Sequence, residues 1–105
     1  MSSLAAVAGV INKPVGYGQW TSLAAAKKLT TAPDAGVSMP DMSIRALIQA
    51  EGGDVRWRDD GVAPTASQGM VIKQDQTLEY EGDLNKIQLI EVAAAGGINV
   101  AFYKY

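Results

Sequence analysis

Val55-Arg56-Trp57-Arg58-Asp59-Asp60-Gly61 decides the reading of this chain. Val55, Trp57 and Asp59 point one way at a period of two, and Arg56, Arg58 and Asp60 point the other, which is the pattern of a strand with an apolar and a charged row. Asp60-Gly61 then supplies a residue tolerant of left-handed geometry and one that adopts it freely, so the strand ends in a turn. The same grammar returns in Leu78-Glu79-Tyr80-Glu81-Gly82-Asp83-Leu84. This is the writing of a β-rich domain with large loops rather than of a catalytic site.

Working outward, Ser43–Glu51 sets Ile44, Ala46, Ile48 and Ala50 against Arg45, Leu47 and Gln49. Read as a strand, it joins Val55–Asp59 through Gly52-Gly53-Asp54 as a hairpin. Asp60–Gly69 is an irregular loop, Met70–Ile72 resumes the sheet, and Thr77–Glu81 and Ile87–Val92 follow as strands. Ala93–Gly97 turns, and Ile98–Tyr103 sets Ile98, Val100 and Phe102 against Asn99, Ala101 and Tyr103. Upstream, Val15–Ser22 is a first strand in which Gly16 and Gly18 mark a bulge or a close approach of another backbone. Leu23–Leu29 has helix-forming composition but is too short to stand alone, and a strand fits it equally. Thr30–Asp41 is a loop broken by Pro33, Gly36 and Pro40. Roughly six or more short strands, punctuated about every eight to twelve residues, predict an all-β, jelly-roll-like sandwich. The body is expected over 14–105, with an N-terminal arm over 1–13 and Pro14 as the boundary.

The chain of 105 residues is one domain's worth,. Its hydrophobic content of 48% is inflated by alanine, so core volume must come from large side chains, with Trp57, Leu89, Val100 and Phe102 as the expected core,. Cysteine and histidine are both absent. That removes disulfides, Cys/His nucleophiles, Ser-His-Asp triads and the usual zinc sites, and no cofactor is expected. A net charge of −2 with scattered basic residues argues against a nucleic-acid surface,. No apolar run approaches bilayer length, so no membrane partner is expected. The opening segment lacks an early basic cluster, which argues against a secretory signal.

The residual chemistry reads as structural. Asp59 and Asp60 diverge across a strand, so turn capping and an ion pair to Arg56 or Arg58 are expected in place of a calcium site. Glu79 and Glu81 share a face and form a solvated edge rather than a glycosidase pair. Trp20, Trp57, Tyr17, Tyr80, Tyr103 and Tyr105 raise the alternative of a carbohydrate-stacking surface, although Trp57 shares its face with Val55 and belongs to the core on that pattern.

Arg56-Trp57-Arg58-Asp59-Asp60-Gly61, Pro64-Thr65, Gly69-Met70, Leu78, Tyr80, Gly82-Asp83-Leu84 and Ile87–Glu91 together resemble small β-sandwich proteins encoded among the virion structural genes of tailed bacteriophages and prophages. The similarity runs from about Ser43 to Tyr103 and brings no catalytic residue with it. It implies a virion protein, most simply a capsid decoration (cement) protein that self-associates and binds the major capsid or other virion proteins, with a head–tail connector component or a carbohydrate-binding tail or adhesin module as alternatives. The expected interface comprises Leu4, Val7, Val10 and Ile11 of the arm together with Arg56 and Arg58. Either the arm or the Thr30–Asp41 loop is expected to reach across to a neighbour.

Overall fold

A computed structural model describes residues 12–105 of the chain. The expected contacts of Leu4, Val7, Val10 and Ile11 lie outside these residues. Among the described residues nine strands are formed: β1 (Lys13–Trp20), β2 (Lys27–Lys28), β3 (Ala35–Gly36), β4 (Arg45–Glu51), β5 (Val55–Arg58), β6 (Met70–Ile72), β7 (Thr77–Tyr80), β8 (Gln88–Glu91) and β9 (Gly97–Lys104). They build a five-stranded sheet in the order β3-β1-β9-β4-β7 and a four-stranded sheet in the order β2-β8-β5-β6, with every pairing antiparallel.

Leaving the two-residue β3 aside, the remaining strands pair outermost with outermost: β1 with β9, β2 with β8, β4 with β7, and β5 with β6. The chain is therefore one long hairpin, doubled back at the β5–β6 connection and rolled into two layers. That is the jelly-roll winding. The Val55–Gly61 block lies at the apex of the roll.

Alternation explains the core. Ala46, Ile48 and Ala50 from β4, and Ile98, Val100 and Phe102 from β9, face Val55, Ile72 and Leu89 from the other sheet, and all are buried. Ile87, Leu84 and Tyr80 complete that layer from the second half. Trp20 fills the space at the β1 end, its ring edge-on to Phe102 at a centroid distance of 6.5 Å, and its indole N–H donates to the Thr31 carbonyl at 3.2 Å. Gly18 is the close approach expected from sequence, since a Cβ there would overlap the Val37 carbonyl oxygen and the Trp20 ring. The register of β1 on β9 shifts between Pro14 and Gly16, which is the bulge,.

One local expectation needs correction. Gly52-Gly53-Asp54 does not close a hairpin: β4 and β5 lie in different sheets, and the segment is a corner crossing between them. Gly52 takes φ +79° beside the Ala95 carbonyl, where a side chain does not fit,. The Asp54 carboxylate accepts the Gln74 N–H at 2.8 Å, and its carbonyl accepts the Val92 N–H at 3.0 Å. The crossings β4–β5, β6–β7 and β8–β9 are thus tied into one bundle, and this tertiary tie overrides the local hairpin signal. Of the two readings open for Leu23–Leu29, the strand is the one formed: Leu23 and Leu29 are fully buried, and between them β2 pairs with β8. Within the Thr30–Asp41 loop, β3 docks on β1 and the Thr21 N–H is held by Asp34 Oδ2 at 2.7 Å. Lys13, expected in the arm, opens β1 opposite Lys104.

Candidate functional site

The hairpin at the apex carries the motif. Opposite β5, Met70 pairs with Trp57, Val71 with Arg56 and Ile72 with Val55. Val55 and Ile72 share the inner face and are buried. By the pleat, Trp57 and Met70 continue that same face one step nearer the apex, yet Met70 is 61% exposed and Trp57 only partly buried. Between them opens a cleft of about 450 Å³ lined by Trp57, Arg58, Asp59, Asp60, Gly69 and Met70. The floor is apolar and the rim is charged. Trp57, expected in the core, is therefore a margin residue: it packs against the core and meets Tyr80 of the opposite sheet edge-on at 5.6 Å, while its outer part lines the cleft. Leu89, Val100 and Phe102 are fully buried.

The polar groups of the motif bind one another. Arg58 closes a two-pronged pair on Asp60, Nε to Oδ1 at 3.0 Å and Nη2 to Oδ2 at 2.5 Å. Asp60 Oδ1 also accepts the Val62 N–H at 3.4 Å, the turn-capping role expected of it,. Arg56 reaches over the outer face of β5 and donates to two loop carbonyls, Ala66 at 3.2 Å and Gly69 at 2.7 Å. Within the loop, Thr65 Oγ1 accepts the N–H groups of Ser67 and Gln68 at 3.3 and 3.0 Å, and Thr65 and Gln68 form a bridge. Pro64 is buried. Asp59 turns inward, where it accepts the Tyr80 hydroxyl at 2.6 Å. Arg56 and Arg58 are thus held by their own loop, and bidentate capture of a partner carboxylate by either requires breaking those bonds. Asp59 and Asp60 serve different partners and do not act as a carboxylate pair.

Elsewhere, Glu81 forms an ion pair with Arg45 at 2.5 Å. Among the described residues, no group of three acidic side chains is placed to hold a metal ion. Two features of the site escaped the sequence reading: the Tyr80–Asp59 bond, and the exposure of Met70, Val71 and Val62 at 61%, 42% and 52% around the same hairpin. Gly69 beside Met70 was the available signal for the second, since it marks where the loop re-enters the sheet. No family model, curated protein or solved structure matches the chain.

The electrostatics give a two-sided pH dependence. Burial, reinforced by the neighbouring Asp59 carboxylate, pushes the Tyr80 hydroxyl above its usual value of 10.0. A pKa raised by folding contributes stability that is intact below pH 10.0 and is lost as pH rises beyond it,. On the acid side, the Arg58 guanidinium holds Asp60 below 3.8, and backbone N–H groups of Gln74 and Thr21 do the same for Asp54 and Asp34. Their contributions are present above pH 3.8 and are lost as pH falls below it,. In denaturant titrations across this range, Tyr80→Phe should flatten the alkaline limb and leave the acid limb in place. An unchanged alkaline limb in that variant would remove Tyr80 as its cause.

Proposed function

We propose that this protein is a structural component of a tailed-bacteriophage virion, most simply a capsid decoration protein that self-associates and bridges neighbouring subunits. The observation that carries this reading is the cleft at the apex. An inner-face tryptophan and methionine stand open on a hairpin whose loop Arg56 clamps, and both belong to the motifs that carry the resemblance to phage virion proteins. Tryptophan, methionine and arginine are the side chains enriched where protein interfaces are fully desolvated. An apolar side chain from a neighbouring virion protein fits the floor of such a cleft, and covering Met70 fully would contribute about 1.5–3 kcal/mol. The Arg58–Asp60 pair at the rim stays hydrated and sets direction more than strength. The action is mechanical, and the polar groups of the motif serve to keep the cleft in shape.

The test is co-sedimentation with particles lacking the protein. The wild-type chain should sediment in a fixed ratio to the capsid and raise its heat resistance. Met70→Asp should lose attachment while its own unfolding midpoint stays within experimental error of wild type. A chain that ignores particles altogether, or a Met70→Asp variant that attaches normally, would overturn the proposal. Deleting residues 2–13 in the same assay separates the contribution of the arm from that of the cleft.

A further inference from the structure

The outer face of the five-stranded sheet is organised in two rows that cross the strands. In one row, Tyr17, Ala101, Leu47 and Glu79 stand opposite one another in register. In the next row stand Gln19, Asn99, Gln49 and Thr77. Apart from Glu79 at its end the first row is apolar, and Ala101, small between Tyr17 and Leu47, leaves a notch. The second row is made of amides and a hydroxyl. The groove between them has a volume of about 210 Å³ and is lined by Tyr17, Leu47, Gln49, Thr77, Asn99 and Ala101.

The amides are held in place before any ligand arrives. The Tyr17 hydroxyl donates to Asn99 Oδ1 at 2.6 Å, Asn99 Nδ2 donates to Glu51 Oε1 at 3.2 Å, and Gln19 Nε2 donates to the same oxygen at 3.0 Å. One tyrosine, 49% exposed, is thereby fixed with its ring over an apolar strip beside a line of fixed amides. Each amide carries two donors and a two-lone-pair acceptor, more than the internal bonds use. The ionisable groups bordering the groove are the carboxylates of Glu51 and Glu79; Arg45, further along β4, is paired with Glu81. No cation lies in the groove lining.

We infer that this face binds a linear neutral oligosaccharide, its ring faces lying along the Tyr17–Ala101–Leu47 strip and its hydroxyls meeting the amide row. Three strands at about 4.8 Å spacing give a strip about 10 Å long, so about two sugar units engage at once. Sugar rings offer what the surface matches: an apolar C–H face that stacks on tyrosine, and an edge of paired donors and acceptors. The bordering carboxylates disfavour anionic glycans. This site lies on the opposite sheet from the apex cleft and does not depend on the virion reading.

The experiment uses the full chain and immobilised cellohexaose, xylohexaose and maltohexaose as neutral probes, with hexagalacturonate as the anionic one. At least one neutral probe should be retained, independently of salt. Tyr17→Ala and Ala101→Gln, which fills the notch from an outward-facing position, should each weaken retention about tenfold or more. Met70→Asp should leave it unchanged. Retention of none of the neutral probes, retention of hexagalacturonate alone, or neutral binding indifferent to both face variants would overturn the inference. So would a change of oligomeric state in Ala101→Gln without loss of a glycan, because the face would then be a protein contact. Failure of the wild-type chain to attach to particles, with glycan binding intact, would sink only the virion reading.

Discussion

Trp20→Ala destabilises the fold by about 3–5 kcal/mol, the range for deleting a large aromatic from a closed core. Trp20 is 1% exposed, braces Phe102 edge-on and donates to the Thr31 carbonyl, so the substitution opens a cavity and orphans an acceptor together,. Against a total stability of about 5–15 kcal/mol, such a loss leaves a large unfolded fraction at ordinary temperatures. Trp57→Ala should cost distinctly less, because part of that ring already faces solvent in the cleft. Urea unfolding of the two variants, followed by circular dichroism, gives the comparison. Equal costs, or a larger cost at Trp57, would mean that the tryptophans have been assigned to the wrong places.

Arg56→Ala should cost about 1.5–3 kcal/mol, the worth of charge-assisted hydrogen bonds, and should make the connection between β5 and β6 susceptible to proteases. The side chain holds two carbonyls from one planar fork, and Lys is a poor substitute because an ammonium is a point charge without that geometry,. Arg58→Ala removes an exposed ion pair and should change stability by about 1 kcal/mol or less. Parallel thermal melts and limited proteolysis of the three variants decide the matter. Comparable losses for Arg58→Ala and Arg56→Ala, or full rescue by Arg56→Lys, would contradict the clamp.

The strand pattern was legible because period-two alternation is a local property. Ile98, Val100 and Phe102 against Asn99, Ala101 and Tyr103 could be assigned to faces from spacing alone, and the assigned inner residues are the buried ones. Sheet membership was not legible in the same way. Gly52-Gly53-Asp54 has the composition of a hairpin turn, and only its bonds to Gln74 and Val92, both remote in sequence, make it a corner. The apex was half legible. Alternation placed Trp57 beside Val55 correctly, but no local signal tells that the inner face stops being covered one step later. An ion pair between the Asp59-Asp60 carboxylates and Arg56 or Arg58 was legible, and Arg58 with Asp60 is the pair formed, whereas the reach of Arg56 to loop carbonyls depends on how the Asp60–Gly69 connection folds back. The outer-face rows were invisible from sequence because they are assembled from β1, β9, β4 and β7, which alternation cannot align.

The winding of the roll also sets the order in which the chain can acquire its structure. The β5–β6 pair joins neighbours in sequence, and its loop closes cheaply; each successive pair outward encloses a longer stretch, up to β1 on β9, which joins opposite ends of the described chain,. Local pairs form early and distant ones late, and a topology dominated by distant pairs folds on the millisecond-to-second scale. The arginine fork fastens the pair whose closure is cheapest, so weakening it should slow the approach to the native state. Weakening the β1–β9 seam instead hastens escape from it. One motif, read as a turn, is in this sense the starting block for the entire roll.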